Sequence, residues 1–299
     1  MAKTKEIDMI NGPLLPKLLL FSLPLAATGI LQLLFNAADV IVVGKFAGST
    51  SLAAVGATSS LINLLTGAFI GISVGVNILA ARYIGCRDNG GISRTVHSAI
   101  MLSLLLGIAT FLIGWFLSTP MLELMGTPED VLALSSLYLR IYFIGVPGAL
   151  IYNFAAAILR AYGDTRRPLL FLAISGVVNI FLNLFFVIVC KLDVAGVAIA
   201  TVISQYLSVV LILVCLMRME GPARFELQKL RLHPQEALRM IQIGLPAGLQ
   251  TVVFNISNVM IQSCVNSFGA DVIAANTAAA NIAAFPYTAM NSVFHAAIT

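Results

Sequence analysis

The sequence predicts an all-α polytopic membrane protein, and three observations lead there. Charged residues make up 10% of the 299 and hydrophobic types 59%, whereas a soluble globular chain carries about 25% charged residues. The apolar residues gather into eight runs, each near the roughly 20 residues that cross a bilayer as a helix. Basic residues collect at every second connection between those runs. A strand barrel is disfavoured, because the runs lack sustained alternation of apolar and polar residues.

The first run, roughly 16–43, follows a polar N-terminus and contains Pro24, Gln32, Asn36 and Asp39. No small-residue cleavage pattern closes it and further spans follow, so it reads as a retained span and not a leader. The second, 53–80, carries the glycine-rich stretch "GAFIGISVGVNILAARYIG", whose small residues permit close helix approach. The third is 95–118. The fourth, 131–158, holds Arg140, an aromatic group including Tyr138 and Tyr142, and Pro147. The fifth, 168–190, contains "SGVVNIFLNLFFV", with Asn179 and Asn183 four residues apart. The sixth, 194–217, offers Thr201, Ser204 and Gln205. A charged, amphipathic connector at 218–237 is expected to link two bundles, with a short helix on the membrane surface. Spans at 238–265 and 272–297 complete the chain.

Charge sets the orientation. Lys3, Lys5 and Lys17 precede span 1; Arg82, Arg87 and Arg94 separate spans 2 and 3; Arg160, Arg166 and Arg167 separate spans 4 and 5. Arg218, Arg224, Lys229, Arg231 and Arg239 lie between spans 6 and 7. The opposite side holds only Lys45 and Lys191, beside five acidic residues. By the excess of basic residues in cytoplasmic loops, the N-terminus is cytoplasmic. The net charge of +4 is therefore topological and does not mark a nucleic-acid surface. Four cysteines and three histidines without paired spacing suggest neither a disulfide framework nor a metal cluster. No phosphate loop, nucleophile elbow or HExxH is present, so neither an enzyme nor a built-in ATPase is expected.

The chain also repeats itself. "SLPLAATGILQLLFNAADV" from Ser22 aligns with "GLPAGLQTVVFNISNVMIQ" from Gly244, a shift of 222 that superposes Pro24 on Pro246 and Asn36 on Asn258. The shift spans an even number of membrane crossings, so the two units share one orientation, as in parallel-repeat transporters. Residues 1–217 then form one six-span bundle, 218–237 the cytoplasmic linker, and 238–299 the first two spans of a second, incomplete bundle. A product lacking spans 9–12 is expected.

Asp39 is the leading candidate for chemistry. A carboxylate in hydrocarbon is costly and normally faces a protein interior or a wet cavity. It can couple transport by taking a proton or a sodium ion, or it can snorkel to water. Asn36 sits one turn before it and Gln32 one turn further back. Asn179 and Asn183 present two amides on one face. These can orient a carboxylate or give oxygen ligands to a hard cation, or serve as interhelix glue. Thr201 and Gln205 share that ambiguity. Pro24 frees a backbone carbonyl and kinks span 1, either as a static bend or as a hinge beside Asp39. Tyr138 and Tyr142 can line a cavity for aromatic or cationic compounds.

Four segments in order resemble the multidrug and toxic compound extrusion family: "SLPLAATGILQLLFNAADVIVVGKFAGSTSLAAVG", "LRAYGDTRRPLL", "VNIFLNLFFV" and "VAGVAIATVISQ". The resemblance covers the whole chain. It implies a twelve-helix transporter with two six-helix bundles around one central cavity. Such a transporter exports organic cations and amphipathic drugs against protons or sodium ions, with no cofactor beyond the ion gradient. It also implies a prokaryotic plasma-membrane location among membrane lipids. By motif position Asp39 matches the family's essential span-1 aspartate, Pro24 its kinking proline, and Asn179 an asparagine of the ion-binding cluster; Thr201 aligns with a span-6 hydroxyl. A sodium ion would sit at Asp39, Asn179 and Asn183, with Gln32, Tyr138, Tyr142 and Gln205 toward substrate. The family often has an aspartate where this chain has Asn183 and a proline where it has Leu184, which leaves one titratable group in that site. No acidic residue lies between Glu236 and Asp271, so a span-7 cation site is not expected. The chain resembles most the branch related to the DNA-damage-inducible transporter. A flippase for lipids or lipid-linked precursors, or a non-transporting membrane subunit, is the alternative reading.

Overall fold

The computed structural model describes residues 14–298, with side chains from Ser22 to Tyr287 except those of Ala68, Ala270, Asn281 and Phe285. Lys3, Lys5 and the final Thr299 lie outside the described residues, and the side chains of Lys17 and His295 are likewise undescribed. Eight long helices account for the fold: α1 (Leu14–Phe46), α2 (Ser49–Gly85), α3 (Asn89–Leu124), α4 (Glu129–Ala161), α5 (Arg166–Leu184), α6 (Asp193–Met217), α7 (Pro234–Asn266) and α8 (Ala270–Ile298). Helices are the form that satisfies every backbone group inside a span. Seven of the described helices are long and apolar enough to cross a membrane, from α1 to α7; the chain is a multi-pass, all-α membrane protein. Several helices, α2, α3 and α7 among them, start four or more residues before the predicted spans. Asp88 caps α3 by accepting from Gly91 N at 2.9 Å.

Much of the "LRAYGDTRRPLL" segment is explained by a turn. Gly163 adopts φ 79°, a conformation that favours glycine. The buried Asp164 accepts from Arg166 N and Arg167 N at 3.1 Å each and pairs with Arg167 Nε at 3.2 Å, so it starts α5.

Two features depart from expectation. α5 does not end as a regular helix but passes into a π-helical turn, Phe185–Val189, directly after Asn183. Such turns arise where the regular ladder is locally displaced. The 218–237 connector forms no surface α-helix. It holds one 3₁₀ turn, Leu227–Lys229, and α7 already begins at Pro234. Phe225 is buried against the His97 ring at 5.6 Å, and Glu226 N donates to His97 Nε2 at 3.2 Å. Part of the linker's apolar face is thus packed into protein and not onto lipid.

α1 packs on α8 and α2 on α7, contacts that a repeat exchanging α1 with α7 and α2 with α8 would produce. The residue before α2 and the residue before α8 are both glycines of positive φ, Gly48 at 91° and Gly269 at 89°. The α2–α7 seam is a glycine contact. A Cβ on Gly71 would land on the Gly248 backbone, and one on Gly244 would lie 2.6 Å from Ile72 Cα. At the end bearing the basic loops, polar bonds fasten the start of α7 to α3 and to α2. Arg94 Nε donates to the buried Glu236 at 2.8 Å, Arg239 Nη1 to Tyr83 OH at 2.6 Å, and His233 N to Ser98 Oγ at 3.0 Å. Farther along, Asn255 Nδ2 donates to the Asn63 carbonyl at 2.7 Å.

Overpacking a filled contact costs about 1–3 kcal/mol, so Gly71→Leu is expected to lower the thermal unfolding midpoint of the purified chain. Gly85→Leu is the control, since nothing lies within 4 Å of a Cβ there. Equal midpoints for the two variants would show that the seam is not tight.

Candidate functional site

Five helices, α1, α2, α4, α5 and α6, enclose a cavity of about 350 Å³, within the size range of small-ligand sites. Every lining residue comes from the first six helices. The described cavity therefore lies among the first six helices.

The stripe Gln32, Asn36 and Asp39 brings three polar groups of α1 to its wall. From α4 come Tyr138 and Tyr142, ring centroids 6.0 Å apart. α5 contributes Asn179, and α6 contributes Thr201 and Gln205. The residues assigned to ion coupling and those assigned to substrate thus share one space.

Asn183 stands behind this wall, fully buried. Its Nδ2 donates to the Asp39 carboxylate and to Asn179 Oδ1 at 3.2 Å. One amide group thereby ties α1 to α5 and aligns Asn179 with Asn183. Its own Oδ1 is buried with no hydrogen-bond partner among the described residues. An orphaned buried oxygen carries a desolvation cost of about 1–3 kcal/mol, which a proton donor or a cation would offset. Thr201 Oγ1 donates to the Val197 carbonyl at 2.9 Å, leaving lone pairs toward the cavity. Asp39 carboxylate, Asn183 Oδ1, Asn179 Oδ1 and Thr201 Oγ1 are the oxygens a sodium ion would draw on. In the described arrangement an N–H group of Asn183 faces Asp39, so sodium would require that amide to turn.

Pro24 is not part of the cavity wall. α1 is helical through it, and Thr28 Oγ1 donates to its carbonyl at 2.7 Å. Pro24 and Asp39 are 15 residues apart, about 22 Å at the helical rise. This corrects the expectation of a kink beside the carboxylate: a bend there would act on Asp39 only as a lever. Arg140 is also absent from the wall. Among the described lining residues none is basic, and Asp39 is the sole carboxylate.

Sequence reasoning missed Asn63 and Thr66 on α2 and Asn153, Ser175 and Ser208 deeper in the cavity. A helical stripe of polar residues, such as Thr201, Ser204, Gln205 and Ser208 on α6, was the available signal. Phe35 lies over Gly176 so closely that a Cβ there would enter its ring, which sets the α1–α5 spacing.

Comparisons with known proteins place this architecture. The MatE family profile matches residues 24–185. A Bacillus subtilis relative named "Probable multidrug resistance protein YpnP" is 30% identical over 269 residues, 90% of this chain and 60% of the relative. The FAD transporter of Shewanella oneidensis is 25% identical, over 89% of this chain and 60% of its own length. The chain spans about 60% of the length of these relatives. A solved inward-facing multidrug resistance MATE family transporter superposes with TM-score 0.80 and 25% identity, covering 88% of this chain and 60% of that one. A transporter from Pyrococcus furiosus shares the fold with TM-score 0.87 at 24% identity, covering 99% of this chain and 66% of that one.

Asn183→Leu removes both amide donations and leaves Asp39 without its described partner. It is expected to destabilise the chain by about 1–3 kcal/mol, read as a lower unfolding midpoint in detergent. An unchanged midpoint would remove Asn183 as the tie between α1 and α5.

Proposed function

The chain belongs to the MatE family, and from that premise we propose that it works in secondary active multidrug export, exchanging organic cations or amphipathic drugs for protons by alternating access, with Asp39 as the coupling carboxylate. The observation that carries this reading is the wall of the cavity: one carboxylate, two tyrosines, several amides and hydroxyls, and no basic side chain among the described lining residues. A cationic drug finds there one opposite charge and two aromatic faces. A proton on Asp39 cancels that charge. Drug and proton then oppose each other through one group, and linkage makes the effect reciprocal.

Asn183 suits both states of the carboxyl. Its Nδ2 donates to the charged form, and its unpartnered Oδ1 can accept from the protonated form once the amide turns over. A proton needs no shell of ligands, whereas sodium needs several oxygens turned inward together; this favours the proton as coupling ion. The basic loops support a cytoplasmic N-terminus in a prokaryotic plasma membrane. A bend at Pro24, acting through the length of α1, gives the carboxyl a mechanical output. The flippase reading loses support, because Arg140, the positive group it relied on, does not line the cavity.

In inverted vesicles, Asp39→Asn is expected to abolish drug accumulation driven by an imposed proton gradient, by tenfold or more, about 1.4 kcal/mol of lost coupling at the least. Membrane insertion should persist, and an imposed sodium gradient should drive nothing in the parent. Normal accumulation by the mutant, or sodium-driven accumulation by the parent, would falsify the proton scheme.

A further inference from the structure

Arg140 sits on α4, eleven residues from Glu129 at its start, and lies outside the wall of the Asp39 cavity. Its side chain is exposed, and Nη2 donates to Thr119 Oγ1 of α3 at 3.1 Å. Thr119 in turn donates to Ser136 Oγ at 3.2 Å. With Glu129, Leu132 and Leu137 these groups line a separate groove of about 360 Å³ between the halves of α3 and α4 remote from the basic loops. The α3 surface nearby exposes Leu112, Trp115, Phe116 and Leu117, so in a bilayer this face meets acyl chains.

A guanidinium in that setting has five donors, and the bond to Thr119 uses one. Exposing an arginine to hydrocarbon is costly, and an anion that reaches it recovers part of that cost. A long arginine side chain near the end of a span extends toward the membrane surface, where lipid phosphate is the abundant anion, and the guanidinium fork fits it in bidentate fashion. The groove also contains an acid. Glu129 and Ser136 lie two turns apart on α4, about 10 Å at the helical rise, which sets the carboxylate at the rim above the guanidinium. Neither Arg140 nor Glu129 has an ion pair among the described residues. One cation below and one anion above complement a headgroup that has its phosphate below and its ammonium above.

We propose that the α3–α4 groove binds the headgroup of an ethanolamine phospholipid in the leaflet opposite the basic loops, with phosphate on Arg140, Thr119 and Ser136 and ammonium at Glu129. The site is separate from Asp39 and stands whether or not that residue couples transport.

Native mass spectrometry of the purified chain tests it, with phosphatidylethanolamine and phosphatidylglycerol titrated separately and inorganic phosphate as competitor. The parent is expected to retain one phosphatidylethanolamine, about fivefold more tightly than phosphatidylglycerol. Arg140→Gln should lose both lipids. Glu129→Gln, at an exposed helix start, should fold normally and lose only the preference. Arg218→Gln, in a basic loop, should match the parent. Equal retention by Arg140→Gln and parent overturns the site. Displacement by inorganic phosphate assigns it to a soluble anion and overturns the lipid. An unaltered preference in Glu129→Gln overturns the ammonium contact. A lipid-free dimer of the parent gives the groove to a second copy and also overturns the proposal.

Discussion

A carboxylate held inside an apolar bundle must be given a partner, and much of the site follows from how this is done for Asp39. An ionised group cannot rest in such surroundings without hydrogen bonds or a counter-charge. The described partner is neutral: Asn183 donates to it from α5. A neutral partner leaves the charge uncancelled, which keeps the site open to a proton or a cationic ligand. Had an arginine or lysine faced Asp39, a permanent ion pair would have closed that option. The rest of the constellation serves this contact. Asn179 accepts the second amide proton of Asn183 and so fixes its orientation, and Gly176 lets Phe35 bring α1 close to α5.

The second constraint is the contact between α2 and α7, whose glycine seam lets backbones touch where side chains would hold them apart. Small residues make such a seam strong only while it is closed, because dispersion falls off steeply with separation. The polar bonds that tie the basic end of α7 to α3, Arg94 to Glu236 and His233 to Ser98, can instead exchange for water one at a time. α1 touches both systems: it carries Asp39 in the first bundle and packs on α8 in the second.

Much of this was legible in the residues. Span count and helical class followed from apolar runs and loop charge, since the bilayer leaves the backbone few choices. The polar stripes Gln32–Asn36–Asp39 and Asn179–Asn183 were readable as helix faces. That they meet was not, because no local pattern says which face of α1 opposes α5; the family resemblance supplied that expectation. The π-helical turn after Asn183 left no mark, because it depends on how α5 packs against α6. The 218–237 connector read as membrane-surface because amphipathicity does not distinguish lipid from protein as the apolar neighbour, whereas Phe225 packs against His97. Pro24 is a different case: its distance from Asp39 was countable, and only the supposed adjacency needed correcting.

The central claim is that drug and proton answer to one carboxyl group. Infrared difference spectroscopy on the detergent-purified chain reads that group directly, through the carbonyl band of the protonated acid. On adding a cationic drug near neutral pH, the account predicts loss of an acid carbonyl band together with proton release to the buffer. Both signals should be absent in Asp39→Asn. Drug binding with no proton released, or with the same band change in the variant, would contradict it.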